Sequence, residues 1–115
     1  MIDPSGKSIL ILHSSEGNAP IFRETDKGIA DTLVFSGIPI LNQYYESLDL
    51  RRNPSPEHRK MLVEQMRARY GHRKIDLIIT MYPEALHFLL KECRNISPEA
   101  PVIALYLQRG LEIDE

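Results

Sequence analysis

IPILNQYYESLDLRRNPSPEHRKMLVEQMRARYGHRKIDLIIT, residues 38–80, holds two strand-like segments with a helical pattern between them. IPILNQYYE (38–46) and IDLIIT (75–80) are rich in β-branched and aromatic residues, as strands are. Between them, Ser55 stands where an N-cap is wanted, Pro56 takes the first helical position and Glu57 complements the positive helix end. Leu62, Met66 and Tyr70 repeat every four residues, which predicts one inward face, and Gly71 closes the helix. A strand, a helix and a second strand in that order predict a crossover unit with parallel strands.

The same alternation extends both ways. KSILILH (7–13) is a continuous apolar run, as expected of a strand covered on both faces. Residues 21–36 read as a helix with Phe22, Thr25, Ile29 and Leu33 on one stripe, widened by Ala30 and Val34, and Gly37 ends it. After the third strand, Pro83 opens a helix in which Tyr82, Leu86, Leu89 and Cys93 share a face, and PVIALYL (101–107) is the fourth strand. The expected fold is α/β, a doubly wound parallel sheet with helices on both faces. Right-handed crossovers make its strand order 2-1-3-4, a flavodoxin-like lobe. Residues 1–6 read as linker, 7–107 as the domain and 108–115 as a tail towards the rest of a parent protein.

Composition narrows the function. The chain has 115 residues, enough for one core, with 43% hydrophobic and 26% charged residues and a formal net charge of -2. Near-neutral charge with dispersed basic residues gives no reason to expect a nucleic-acid partner. Cys93 is the single cysteine, which excludes an internal disulfide and reads as a buried inert thiol. His13, His58, His72 and His87 lack metal-ligand spacing, so no metal is expected; no cofactor is expected either, with a small flavin-binding protein or a structural dimerisation module as the alternatives. No apolar run reaches the roughly 20 residues that span a bilayer, and no signal peptide is seen.

The strand order places a switch point between the first and third strands, and ligands of such sheets bind beyond the carboxyl ends there. HSSEGNAP has one glycine, too few for a dinucleotide turn, and no phosphate-binding loop ending in Lys-Ser or Lys-Thr exists. A phosphoacceptor site needs clustered carboxylates, but the third strand ends in Thr80-Met81-Tyr82 and Asp76 lies at its other end. A flavin carrier would use a Ser/Thr-rich first loop, to which HSSEGN is a weak match. His13 and Ser14 are adjacent on a strand and face opposite sides, which disfavours a nucleophile–base pair. What remains is binding. Ser14 and Ser15 offer hydroxyls beside one helix start, the amides after Tyr82 form another, and Tyr82 and Tyr106 supply aromatic walls.

One resemblance covers residues 7–107. Tyr45-Glu46-Ser47-Leu48-Asp49-Leu50, then Arg52, Pro54-Ser55-Pro56, Lys74-Ile75-Asp76-Leu77-Ile78 and Pro83-Glu84-Ala85-Leu86-His87-Phe88-Leu89 form an ordered series. With SILILHSSEGNAP before it and APVIALYL after it, the series resembles the first lobe of periplasmic-binding-protein-like sensor domains. Such domains precede the membrane segment of bacterial sensor histidine kinases and diguanylate cyclases, and are related to substrate-binding components of ABC importers. The resemblance implies one lobe of a type I periplasmic-binding-protein fold, extracytoplasmic, non-enzymatic and part of a membrane-anchored parent. It implies a small-molecule ligand such as an amino acid or small carboxylate, and a second lobe or self-association across the cleft. Ser14, Ser15, Glu46, Met81, Tyr82 and Tyr106 are the expected ligand-binding residues. Glu46 has an alternative that is as good, an ion pair with a nearby Arg. Ser47 replaces the family's aromatic, and TMYPEA replaces a loop often rich in glycine, so Met81 and Tyr82 would crowd the cleft.

Overall fold

In the computed structural model, residues 6–14, 20–50 and 52–105 are described, with the side chains of 20–26 and of residue 40 left aside. The elements are β1 (Ile9–His13), α1 (Pro20–Phe35), β2 (Gln43–Ser47), α2 (Pro56–Tyr70), β3 (Leu77–Met81), α3 (Pro83–Phe88) and β4 (Val102–Leu105). All strands are parallel, in the order β2-β1-β3-β4. This is an α/β, flavodoxin-like sheet, as the sequence predicts. The strands are shorter than the apolar runs: Ile40–Asn42 forms a 3-10 turn ahead of β2, because Pro39 accepts the amide of Asn42 through its carbonyl at 2.9 Å.

β1 is central and all five of its residues are buried. Its alternation divides the core. Leu10 and Leu12 join Ile78 against Leu62, Met66 and Tyr70 of α2 and Ala85 and Phe88 of α3. Ile9 and Ile11 join Ile79 and Met81 on the other face, where Ile29, Leu33 and Ile38 pack. The predicted stripe of α1 therefore holds at Ile29 and Leu33, while Val34 is half exposed and does not widen it. The side chains of Phe22 and Thr25 lie outside the described residues.

The helix ends show different uses of glycine. Gly37 has φ 98°, the Gly37 amide donates to the Val34 carbonyl and the Ile38 amide to that of Leu33, both at 2.9 Å. That is the left-handed cap in which the residue after glycine packs back on the helix, here Ile38 with Leu33. Gly71 instead remains helical at φ −62°, and a Cβ there would meet the Arg67 carbonyl oxygen at 2.5 Å. Close approach, not a left-handed turn, requires that glycine.

α3 departs from expectation. In an unbroken helix, residues 85, 88, 89 and 92 would share the inward face. The chain instead forms a π turn over Leu89–Cys93, then a 3-10 turn over Arg94–Ile96. The extra residue puts Cys93, fully buried, where residue 92 would have gone. Glu92 is thereby turned out to the surface, and the buried face is Ala85, Phe88, Leu89 and Cys93 rather than one containing Tyr82 and Leu86. At the opposite, amino end of the sheet, Asp76 accepts the Ser8 amide at 2.9 Å, while its own amide donates to the Ser8 carbonyl at 2.8 Å. This carboxylate fixes the start of β3 and is far from the crest where a phosphoacceptor would stand. Among the described residues, no helix is long and apolar enough to cross a membrane.

Candidate functional site

The carboxyl ends of β1, β2 and β3 form a crest tied together by Ser14. Its side chain is fully buried. The hydroxyl donates to the Met81 carbonyl and accepts from the Ala85 amide, both at 2.8 Å. One small side chain thus joins the end of β1 to the end of β3 and to the first turn of α3. A helix-start amide that was expected to face a ligand is taken by the protein itself. The Ser14 carbonyl accepts the Leu50 amide at 2.7 Å and the His13 carbonyl accepts the Leu48 amide at 2.8 Å, so the β1–β2 ladder runs past β2.

Asp49 lies between those two rungs, at φ 52°. Leu48 and Leu50 are both buried, so Asp49 is pushed out into the left-handed region that aspartate tolerates better than most residues. Its carboxylate accepts from Arg52 at 2.9 and 3.1 Å and from Asn53 at 2.7 Å. The hydrogen bond from Arg52 holds the Asp49 carboxyl below its ordinary value, with burial acting in the opposite direction. His58 closes the same loop: its amide donates to the Ser55 hydroxyl at 3.2 Å and its Nε2 meets the Leu48 carbonyl at 2.8 Å.

Tyr82 is the strained residue of the crest. It has φ 73° and ψ 157°, a region occupied almost only by glycine. Pro83 favours the extended ψ of the residue before it but does not demand a positive φ. The positive φ belongs to the chain reversal that lets the Tyr82 amide donate to the Leu105 carbonyl at 2.9 Å while Ser14 holds both sides of the turn. The Tyr82 ring is partly buried on the α1 face of the sheet.

The expected site residues therefore separate. Ser14 and Tyr82 meet at the switch point between β1 and β3. Met81 is fully buried in the α1-side core and offers its carbonyl, not its side chain, to the crest. The Glu46 carboxylate accepts from Arg69 at 2.6 Å and from the Tyr70 hydroxyl, both at the end of α2. The structure thus displays the ion pair that was its alternative. Burial, with the neighbouring carboxylate, pushes the Tyr70 hydroxyl up, which keeps it a donor. Tyr44 completes this edge, its ring 5.7 Å from that of Tyr70 and 5.2 Å from the Arg73 guanidinium. Ser15 and Tyr106 lie outside the described residues.

A concavity that the sequence did not announce adjoins the crest. It is a groove of about 630 Å³ between the β2–α2 loop, α2 and α3. Leu50 and Phe88 form its floor and Pro54 one side. Glu84 and His87 stand on the first turns of α3, and Lys91 and Glu92 on the π turn. Arg59 of α2 faces Glu92 at 3.6 Å. The spacing of Glu84, Phe88 and Lys91 marks a helix face, but the turn that swings Glu92 towards Arg59 has no sequence signature. Among the described residues, no group of three His, Cys, Asp or Glu side chains is placed to hold a metal. The Cys93 thiol is pushed up to about 11, first by burial, so it is not a nucleophile at neutral pH.

In comparisons with protein-family models, with curated proteins and with solved structures, nothing matches the chain.

Proposed function

We propose that the chain is the first lobe of an extracytoplasmic, solute-binding-type sensor domain. It takes part in no chemistry itself, and binds a small molecule such as an amino acid or small carboxylate at the carboxyl ends of its strands. Binding would draw a second lobe onto the crest and bias the output of a membrane-anchored parent, a sensor histidine kinase. The observation that carries this reading is the backbone of Tyr82: a bulky residue is held in glycine-type geometry at the switch point of a doubly wound sheet. Such strain persists where the surroundings over-determine it, commonly at ligand sites. The ordered series of segments from residue 7 to 107 supports the same reading.

The test is a melting-temperature screen of this chain and of a longer, two-lobed form against amino acids and small carboxylates. The reading expects a stabilising ligand for the longer form. Silence in both forms would count against it.

A second reading is favoured by a separate observation. Phe35 and Leu41 are 93% and 84% exposed between the end of α1 and the start of β2. Apolar surface of this kind fits a dimerisation module. That reading predicts a concentration-dependent dimer that is broken by Phe35→Ser, with no response to small molecules.

A further inference from the structure

The groove between α2 and α3 has charge at both ends and an apolar floor between them. Glu84 lies at one end of the α3 face and Lys91 at the other. Lys91 follows Glu84 by seven positions, which is roughly 10 Å of rise along the helix. Lys91 is joined at its end by Arg59, which is paired with Glu92 at 3.6 Å and is more than a third exposed. An ion pair that long and that wet is readily opened by an incoming carboxylate.

We propose that this groove binds a short zwitterionic peptide of about three residues. An extended chain covers about 3.4 Å per residue, so three residues match the distance between the charged ends. The ammonium group of the peptide lies at Glu84, its carboxylate at Lys91 and Arg59, and its central side chain on Leu50 and Phe88. A volume of about 630 Å³ suits a ligand of that size and greatly exceeds a single amino acid. The π turn of α3 is the second observation. It places Lys91 and Glu92 at the groove while Cys93 is kept in the core, and π turns within helices are frequent at functional sites. The proposal is independent of the lobe reading, because its residues lie on the α2–α3 side and not between β1 and β3.

The experiment is an amide NMR titration of the 115-residue chain with the tripeptide alanyl-leucyl-alanine and with its N-acetylated and C-amidated forms. The expected result is a saturable set of shifts at Leu50 and across residues 84–92, weakened about two- to fivefold by either cap, as each cap removes a solvent-exposed charge contact. Lys91→Met, at an exposed position, should weaken the uncapped peptide by a similar factor and the amidated one much less. Equal affinity of capped and uncapped peptides would overturn the proposal. So would an absence of saturable shifts, or shifts confined to Ser14 and Tyr82.

Discussion

Replacing Tyr82 by glycine and, separately, by alanine isolates the backbone strain at the crest. Both variants lose the ring, so its packing cancels in the comparison. Alanine keeps a Cβ in a conformation with φ 73° and ψ 157°, which costs ~1–3 kcal/mol. Glycine removes that cost but loses roughly 0.5–1 kcal/mol more through the entropy of the unfolded chain. The difference leaves the glycine variant more stable than the alanine variant by about 1 kcal/mol, within a range of roughly 0–2.5 kcal/mol. At an ordinary extended position the order is the reverse, alanine being favoured by about 0.4–1 kcal/mol. The sign is therefore the test. Urea unfolding of both variants reads it as a midpoint difference of several tenths molar, with the slope unchanged. An alanine variant more stable than the glycine variant would refute the assignment of strain to this residue.

Ser14→Ala should cost ~2–3 kcal/mol in the same assay, because it strips a fully buried amide at Ala85 of its acceptor and a carbonyl at Met81 of its donor. A loss below about 0.5 kcal/mol would mean that water replaces the hydroxyl. Cys93 should resist thiol reagents at neutral pH in the native state and react only as the chain unfolds, since it is fully buried and its thiol is pushed up to about 11. Rapid labelling of folded protein would place Cys93 in a region that opens locally.

The fold was legible because its signals are local and agree with one another. Ser55 and Pro56 start α2, Leu62, Met66 and Tyr70 face inward, and Gly37 ends α1, each for a reason carried by a few neighbouring residues. The alternation of strands and helices then leaves few topologies once crossovers are right-handed. The site was less legible, since its features depend on distant partners. Nothing local says that Ser14 will be consumed by Met81 and Ala85, 67 and 71 residues further along the chain. Glu46 ends a strand in sequence, yet its face of the sheet carries α2, so Arg69 and Tyr70 claim it. On α3, Leu89 and Cys93 are buried as the spacing predicts, while Tyr82 and Leu86 are only partly buried, because regular spacing cannot show a π turn. That turn resolves a conflict between Glu92, which the helical repeat would bury, and Cys93, which can be buried without loss.

The measurement that tests the ligand-binding account most directly is the melting temperature of this chain and of its two-lobed form across a set of amino acids and small carboxylates. A ligand at 100 times its Kd stabilises the native state by about 2.7 kcal/mol, which for a two-lobed domain of roughly twice this length is a rise of about 5–11 °C. The account predicts such a rise in the two-lobed form for at least one compound, abolished when the segment around Ser14 and Tyr82 is altered. Melting temperatures that stay constant in both forms across the whole set would contradict it.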